Sequence, residues 1–514
     1  MPLKIEIAYL ESEAREERMV YNFNLGIGWA SSGVEYAQAY RAAMLRNIGA
    51  DAKFIFTDMI TADNIEHMTQ NIGFLDSEVI WLYTFFTDYK TAPVSYTLND
   101  LKKTIPTDKY TYTRTGKTAK LVLGNSNVYY SIYFVNEQDD LVHRVEIVSK
   151  GYLIRKDYFT YSRVFSEYYA PLNKKAHLYL RRFYNENGSV AYEEITDDGK
   201  VMYRFLDRFL CSKEDLVGYM VSRLRLTRDD VVLIDRTTGI GQAILQNAGE
   251  ARVGIVIHAD HFSESGSDEE NILWNNYYEY SFHMNKHIAF YVTATDEQNK
   301  ILKEQFQKYH GVSPAVYTIP VGSLDELKYP AGERTPYSVL TASRLAGEKH
   351  IDWMIEAVVK ARETVPQITL DIYGKGGEEQ KLRELIKNYG AENYIVLRGQ
   401  QDLKEVYQNY DLYLSASTSE GFGLTLLEAV GGGLPLIGFD VRYGNPTFID
   451  DGENGYLIPV DSHMTQKQKI AALTDRIIRL FTEADLGSFH KHSYEKAKGF
   501  LTKEVELRWK SLLG

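Results

Sequence analysis

Two stretches of this chain combine residue types that can handle an anionic leaving group. TASRLAGEKH (341–350) sets Arg344 and Lys349 five positions apart, directly after the apolar run YSVLTAS. A guanidinium offers a planar fork of donors and an ammonium a point charge, so the two at a strand end suit a dianionic leaving group. On their own they read as a solvated basic turn. STSEGFGLTLLEA (417–429) follows the run DLYLSA and holds Glu420 and Glu428 with seven residues between them. Gly421 and Gly423 let a loop approach a ligand closely, and the helix beginning at LTLLEA presents N–H groups that suit phosphate or sugar oxygens. One carboxylate can bind polar hydroxyls near a reacting centre, the second vicinal hydroxyls such as those of a ribose. The glutamate spacing is weak by itself. Strand, Glu, Gly-Phe-Gly, helix and Glu in that order are specific.

Other candidates carry less. IYGKGGEEQKLRELI (372–386) reads as a strand, a glycine loop and a helix. It suits a nucleobase, and equally a tight strand-to-helix turn for Lys375 and its glycines. Gly26-Ile27-Gly28-Trp29-Ala30-Ser31-Ser32-Gly33 joins another strand to a helix and can offer N–H groups to a diphosphate or an acceptor, but no Gly-Lys-Ser/Thr follows, so it is not a P-loop. His258 ends the run VGIVIHA, with His261 close behind, and can hydrogen-bond a sugar hydroxyl. No complementary carboxylate or cysteine cluster accompanies the histidines, and no Asp-x-Asp follows a strand, so no metal site is expected.

These residues need a scaffold that brings strand ends together. Residues 19–90 alternate strand-like and helix-like runs: VYNFNL, a helical SGVEYAQAYRAAMLRNIG, AKFIFTDM and EVIWLYTFF. The rhythm predicts a parallel sheet under helical cover. Over 91–210 it gives way to short alternating runs rich in Tyr, Val, Thr and Arg, broken by Gly-Asn, Asn-Gly and Asp-Asp-Gly turns, which predicts an inserted antiparallel meander. The strand–helix pattern returns over 211–320. A second series fills 321–490, with YSVLTAS, ITLDIYG, YIVLRG, DLYLSAS, LPLIGFD and GYLIPV as buried strands, and 491–514 ends the chain as a helix. The expected fold is α/β, with two parallel domains facing a cleft at the carboxyl ends of their strands.

Composition fits this reading. The 514 residues, 44% hydrophobic and 25% charged, suit about three globular domains. No run reaches the roughly 18 apolar residues of a membrane span. The single Cys211 has no partner for an internal disulfide, which fits a reducing compartment. A net charge of −12 argues against a nucleic-acid partner. The 39 tyrosines are an excess that suits protein interfaces and sugar platforms. Residues 1–18 do not read like the rest; they form a leader ahead of a start at Met19, or alternatively a native strand and short helix.

Taken together, SRLAGEKH, the Glu420-to-Glu428 spacing and FIDDGENGYLIPV (448–460) resemble retaining glycosyltransferases of family 4, which have the GT-B fold. NLGIGWASSGVEYAQAYRA, LIRKDYF, DRTTGIGQ, HADHFSE, ILWNNYYEY and TSEGFGLTLLEA resemble, more narrowly, its GtfA branch, from Met19 to near the C-terminus. That resemblance implies transfer of N-acetylglucosamine from UDP-GlcNAc to Ser/Thr of serine-rich repeat adhesins in the cytosol, with a noncatalytic GtfB-type partner and no metal or other cofactor. Peripheral association at the inner face of the membrane is left open. It implies that Arg344 and Lys349 neutralise the UDP diphosphate, that Glu420 lies beside the sugar and Glu428 on the ribose. It further implies that Phe422, Gly423 and Leu424 hold sugar hydroxyls through their backbone, that His258 lies near the sugar and that Gly28 lies near the diphosphate. The inserted sheet would serve subunit contact and acceptor binding. Wall teichoic acid α-glycosyltransferases share the fold and are the alternative, as is the same protein glycosylation from UDP-glucose. A noncatalytic adaptor would have lost the donor residues, which are all present.

Overall fold

The computed structural model describes residues 18–28, 33–124, 127–461 and 463–514. The leader up to residue 17 and residues 29–32 of the first glycine loop lie outside the described residues. The chain divides into two compact units, one of residues 1–256 and 276–289, the other of residues 257–275 and 290–514.

In the first unit, parallel strands lie in the order Arg252–Ile257, Val231–Ile234, Met19–Asn24, Asp51–Phe56, Val79–Trp81. Every residue of Met19–Asn24 is buried, as expected of a parallel strand covered on both faces. Two of those residues are asparagines, so the sheet needs buried polar partners. Asn24 Nδ2 donates to Gln38 Oε1 at 2.5 Å, and Gln38 Nε2 and Arg41 Nη2 donate to Asp235 Oδ2 at 2.7 and 2.5 Å. Arg41 is 3% and Asp235 0% exposed. The network ties helix Gly33–Asn47 to the carboxyl ends of two adjacent strands.

The run EVIWLYTFF yields only three strand residues, Val79–Trp81. The chain then turns so that its aromatic rings leave the parallel sheet and stack on the inserted one. Tyr83 stacks on Phe183 at 5.6 Å between centroids, Phe183 on Tyr192 at 4.5 Å and Tyr192 on Phe205 at 4.7 Å, while Phe86 stacks on Tyr219 of helix Lys213–Arg223 at 5.1 Å. The Tyr192 hydroxyl donates to the Tyr83 carbonyl at 2.7 Å. The insertion itself is a ten-stranded antiparallel sheet, each strand paired with its neighbour in sequence from Tyr110–Thr115 to Phe209–Leu210.

In the second unit, six parallel strands lie in the order Ile395–Gly399, Thr369–Tyr373, Ser338–Ala342, Leu412–Leu414, Leu436–Phe439, Gly455–Ile458. The first strand in sequence, Ser338–Ala342, is central; the next two build outward on one side, the last three on the other. The order therefore reverses between Ser338–Ala342 and Leu412–Leu414, and in open α/β sheets ligands bind outside the carboxyl ends at such a reversal. The chain closes with two helices, Leu486–Lys498 and Thr502–Leu513, in place of the single helix expected over 491–514. They are separated because the N–H of Leu324 and the carbonyl of Phe500 bond at 2.9 Å, and Thr502 N–H returns to the Leu324 carbonyl at 2.8 Å.

Replacing Asp235 by Ala leaves Arg41 buried without its carboxylate. The expected loss is about 3–5 kcal/mol in chemical denaturation. The paired Arg41→Met, Asp235→Leu change is expected to cost much less, because it leaves no buried charge uncompensated.

Candidate active site

The loops after the two strands flanking the reversal are TASRLAGEKH and STSEGFGLTLLEA. The strands pair in parallel, Val339 with Leu412 and Leu340 with Tyr413, so both loops emerge at the same edge. Lys349 and Glu420 meet there: Nζ lies 2.6 Å from Oε2, with the two side chains only 15% and 18% exposed. The ammonium uses one of its three N–H donors on Glu420 and keeps two for a ligand. Arg344 behaves differently. Its side chain is 79% exposed and reaches Glu348 at 3.1 Å, an exposed i,i+4 pair of little energetic weight that an incoming anion can displace.

The Arg344 turn is shaped from below by the 374–377 loop. The Leu345 N–H donates to the Lys375 carbonyl at 3.0 Å, and the Glu378 N–H to the Leu345 carbonyl at 3.1 Å. A Cβ on Gly374, whose φ is +132°, would lie 1.9 Å from the Ser343 carbonyl oxygen, and one on Gly376 2.2 Å from that of Leu345. These glycines are accounted for by backbone packing.

Gly423 has φ 89°, a left-handed conformation that glycine adopts without strain, and it starts helix Leu424–Gly431. The Phe422 side chain is 6% exposed and packs on Phe448 at 5.2 Å. Leu424 turns its side chain toward Gly322. Phe422, Gly423 and Leu424 thus offer a ligand backbone groups and little side chain. Glu428 lies on the same helix, where the Tyr407 hydroxyl donates to its Oε2 at 2.7 Å. Burial raises the Glu428 carboxyl above its ordinary value, and the Tyr407 hydrogen bond offsets part of that rise.

His258, partly buried, lies against this loop: its carbonyl oxygen would be 3.2 Å from a Cβ on Gly421. The segment after it is partly buried and carries two polar groups, Asp260 and His261. His261 is 0% exposed, and burial holds its imidazole down to about 3. Asp260 is raised by burial, with Arg442 and the Tyr443 and Ser419 hydroxyls opposing. Gly28 belongs to the first unit and is exposed, while Trp29 to Ser32 beside it lie outside the described residues. The sequence motifs did not point to Tyr407, Asp260 or Tyr443; the single signal for the last two was their place one or two residues from His258 or after an apolar strand run.

Five likenesses bear on this geometry. Residues 111–207 match the family model of the GtfA extended beta-sheet domain, and 327–478 that of glycosyl transferases group 1. The UDP-N-acetylglucosamine–peptide N-acetylglucosaminyltransferase GtfA subunit of Streptococcus gordonii is 54% identical over 495 residues, covering 96% of this chain and 98% of that protein. The chain belongs to the GtfA family. Among solved structures, the GtfA/B complex superposes with a TM-score of 0.94 at 54% identity, covering 96% of this chain and 99% of the other. The pneumococcal O-GlcNAc transferase GtfA in complex with UDP and GlcNAc superposes with a TM-score of 0.88 at 49% identity, covering 97% and 99%. This GtfA-family member is thus a glycosyltransferase with the GT-B fold and an inserted extended β-sheet. Among the described residues, no helix is long and apolar enough to cross a membrane.

The raised Glu428 carboxyl sets a sign. The folded state holds the Glu428 proton more tightly than the unfolded state, so stability falls as pH rises from the ordinary value through the raised one. Glu428→Gln removes that fall and keeps an acceptor for Tyr407. The variant is expected to be at least as stable as the parent at pH 7 in thermal denaturation, with a flatter profile on the acid side.

Proposed function

We propose that this chain transfers N-acetylglucosamine from UDP-GlcNAc to Ser/Thr hydroxyls of serine-rich repeat proteins, retaining the α configuration. It works in the cytoplasm with a GtfB-type noncatalytic subunit. The observation that carries this reading is the Lys349–Glu420 pair at the strand reversal, in a chain alike over 96% of its length to a GtfA subunit.

As the bond from the sugar C1 to the diphosphate oxygen breaks, negative charge grows on the departing oxygen. Lys349 and Arg344 meet that charge, stabilising it more than the ground state. The N–H groups at Gly423 and Leu424 hold sugar hydroxyls, Glu420 and His258 fix the sugar, and Glu428 accepts from the ribose hydroxyls. Gly28 serves the diphosphate. The two cations supply the charge that a metal supplies elsewhere, so the reaction is expected to need none.

The test incubates the chain and its GtfB-type partner with UDP-GlcNAc and UDP-glucose, a serine-rich repeat peptide and a teichoic acid polymer, followed by intact-mass and sugar analysis. N-acetylhexosamine on the peptide is expected. Hexose on the peptide would change the donor, and labelling of the polymer alone would move the function to wall teichoic acid. Folded Arg344→Ala and Glu420→Gln are each expected to lower transfer by about 100-fold or more; undiminished turnover by either would sink its assigned role. Activity is expected to survive EDTA; loss on chelation that manganese or magnesium restores would refute metal independence.

A further inference from the structure

Glu420 has no regular strand to hold it. Its backbone is fixed by one isolated parallel bridge to Tyr443. The N–H groups of Tyr443 and Gly444 both donate to the Glu420 carbonyl at 2.7 Å, and the Glu420 N–H meets the Arg442 carbonyl at 3.4 Å. The side chain follows the same path: a Cβ on Gly444 would lie 2.8 Å from Glu420 Cγ. Where the 442–444 peptides go, Glu420 goes.

Those peptides are anchored from a distant part of the chain. The Tyr443 ring is 0% exposed, and its hydroxyl lies 3.2 Å from His261 Nδ1. His261 Nε2 lies 2.8 Å from Gln305 Oε1, at the end of helix Asp296–Gln305. With Nε2–H donating to that amide oxygen, Nδ1 of the neutral ring is left to accept the Tyr443 O–H. Alongside, the Arg442 guanidinium covers the Phe262 ring at 4.6 Å and reaches Glu264 at 3.1 Å.

We infer that Tyr443 is a positioning residue for Glu420, and that the buried hydrogen bond to His261 sets its place. The inference rests on the reading of Glu420 as a carboxylate of the sugar site. Phenylalanine would fill the Tyr443 cavity almost as well, so packing does not account for the hydroxyl. A buried hydroxyl gains from a partner and is costly without one. This one ties the glutamate loop through His261 to Gln305 at the end of helix Asp296–Gln305, with Asp260 and Gln298 beside the same hydroxyl.

The test is Tyr443→Phe in the full chain with its partner, with Gln305→Met as a second variant acting one link away should the first not fold. Hydrogen exchange reads positioning without reference to activity. Exchange at the Tyr443 and Gly444 amides is expected to quicken by about tenfold, since local opening sets their protection. In the transfer assay, kcat is expected to fall about tenfold while KM for UDP-GlcNAc stays within about twofold, as for a displaced group near the reacting centre. A folded variant with parental kcat overturns the inference. If the parent chain transfers no sugar, the functional reading fails instead, and exchange alone judges Tyr443: unchanged protection at both amides overturns its role, and faster exchange sustains it.

Discussion

Lys349 and Glu420 stand 71 residues apart in sequence and 2.6 Å apart in space. Everything else in the second unit can be read as the means of keeping them there. The parallel pairing of Ser338–Ala342 with Leu412–Leu414 puts their two loops at one edge. That pairing persists because both strands are wholly buried and set Val339, Leu340, Leu412 and Leu414 into the core, so a slip in register would misplace those side chains and break the ladder. The two charges are mostly withdrawn from water, which strengthens their attraction and makes each costly to leave alone.

The site is built at the expense of stability in more than one place. Glu428 is partly buried on a helix that would be better served there by an apolar residue, and its carboxyl is raised by that desolvation. Gly374 and Gly423 occupy backbone conformations that other residues reach only with strain. Such departures from local rules cluster where a protein does chemistry. In the first unit, the buried Arg41–Asp235 pair is a similar departure at a strand end, and it holds the helix that follows the glycine loop.

The tyrosine excess has two destinations. Tyr158, Tyr192 and Tyr203 are buried and belong to the stack and hydrogen-bond network within the first unit, whereas Tyr152 and Tyr179 are 47% and 45% exposed on the inserted sheet. Composition suggested a surface; a good part of it is interior. The reason is that a tyrosine ring has the area of a core residue and a hydroxyl that can be satisfied inside, as Tyr192 is by the Tyr83 carbonyl.

The residue pattern by itself determined the strand–helix rhythm, the switch to an antiparallel meander, and the loops that carry Arg344, Lys349, Glu420 and Glu428, because hydrophobic periodicity and turn residues act over a few neighbours. It also carried a family resemblance that the likeness over 96% of the chain bears out. Tertiary structure alone decided which of these residues touch. Nothing local distinguishes Lys349, which pairs with Glu420, from Arg344, which lies in solvent beside Glu348. Nor does any local signal pair Tyr407 with Glu428 or Tyr443 with His261, partners that sit 21 and 182 residues apart. A side chain's neighbours across strand ends are set by sheet order, and sheet order is a property of the packed chain.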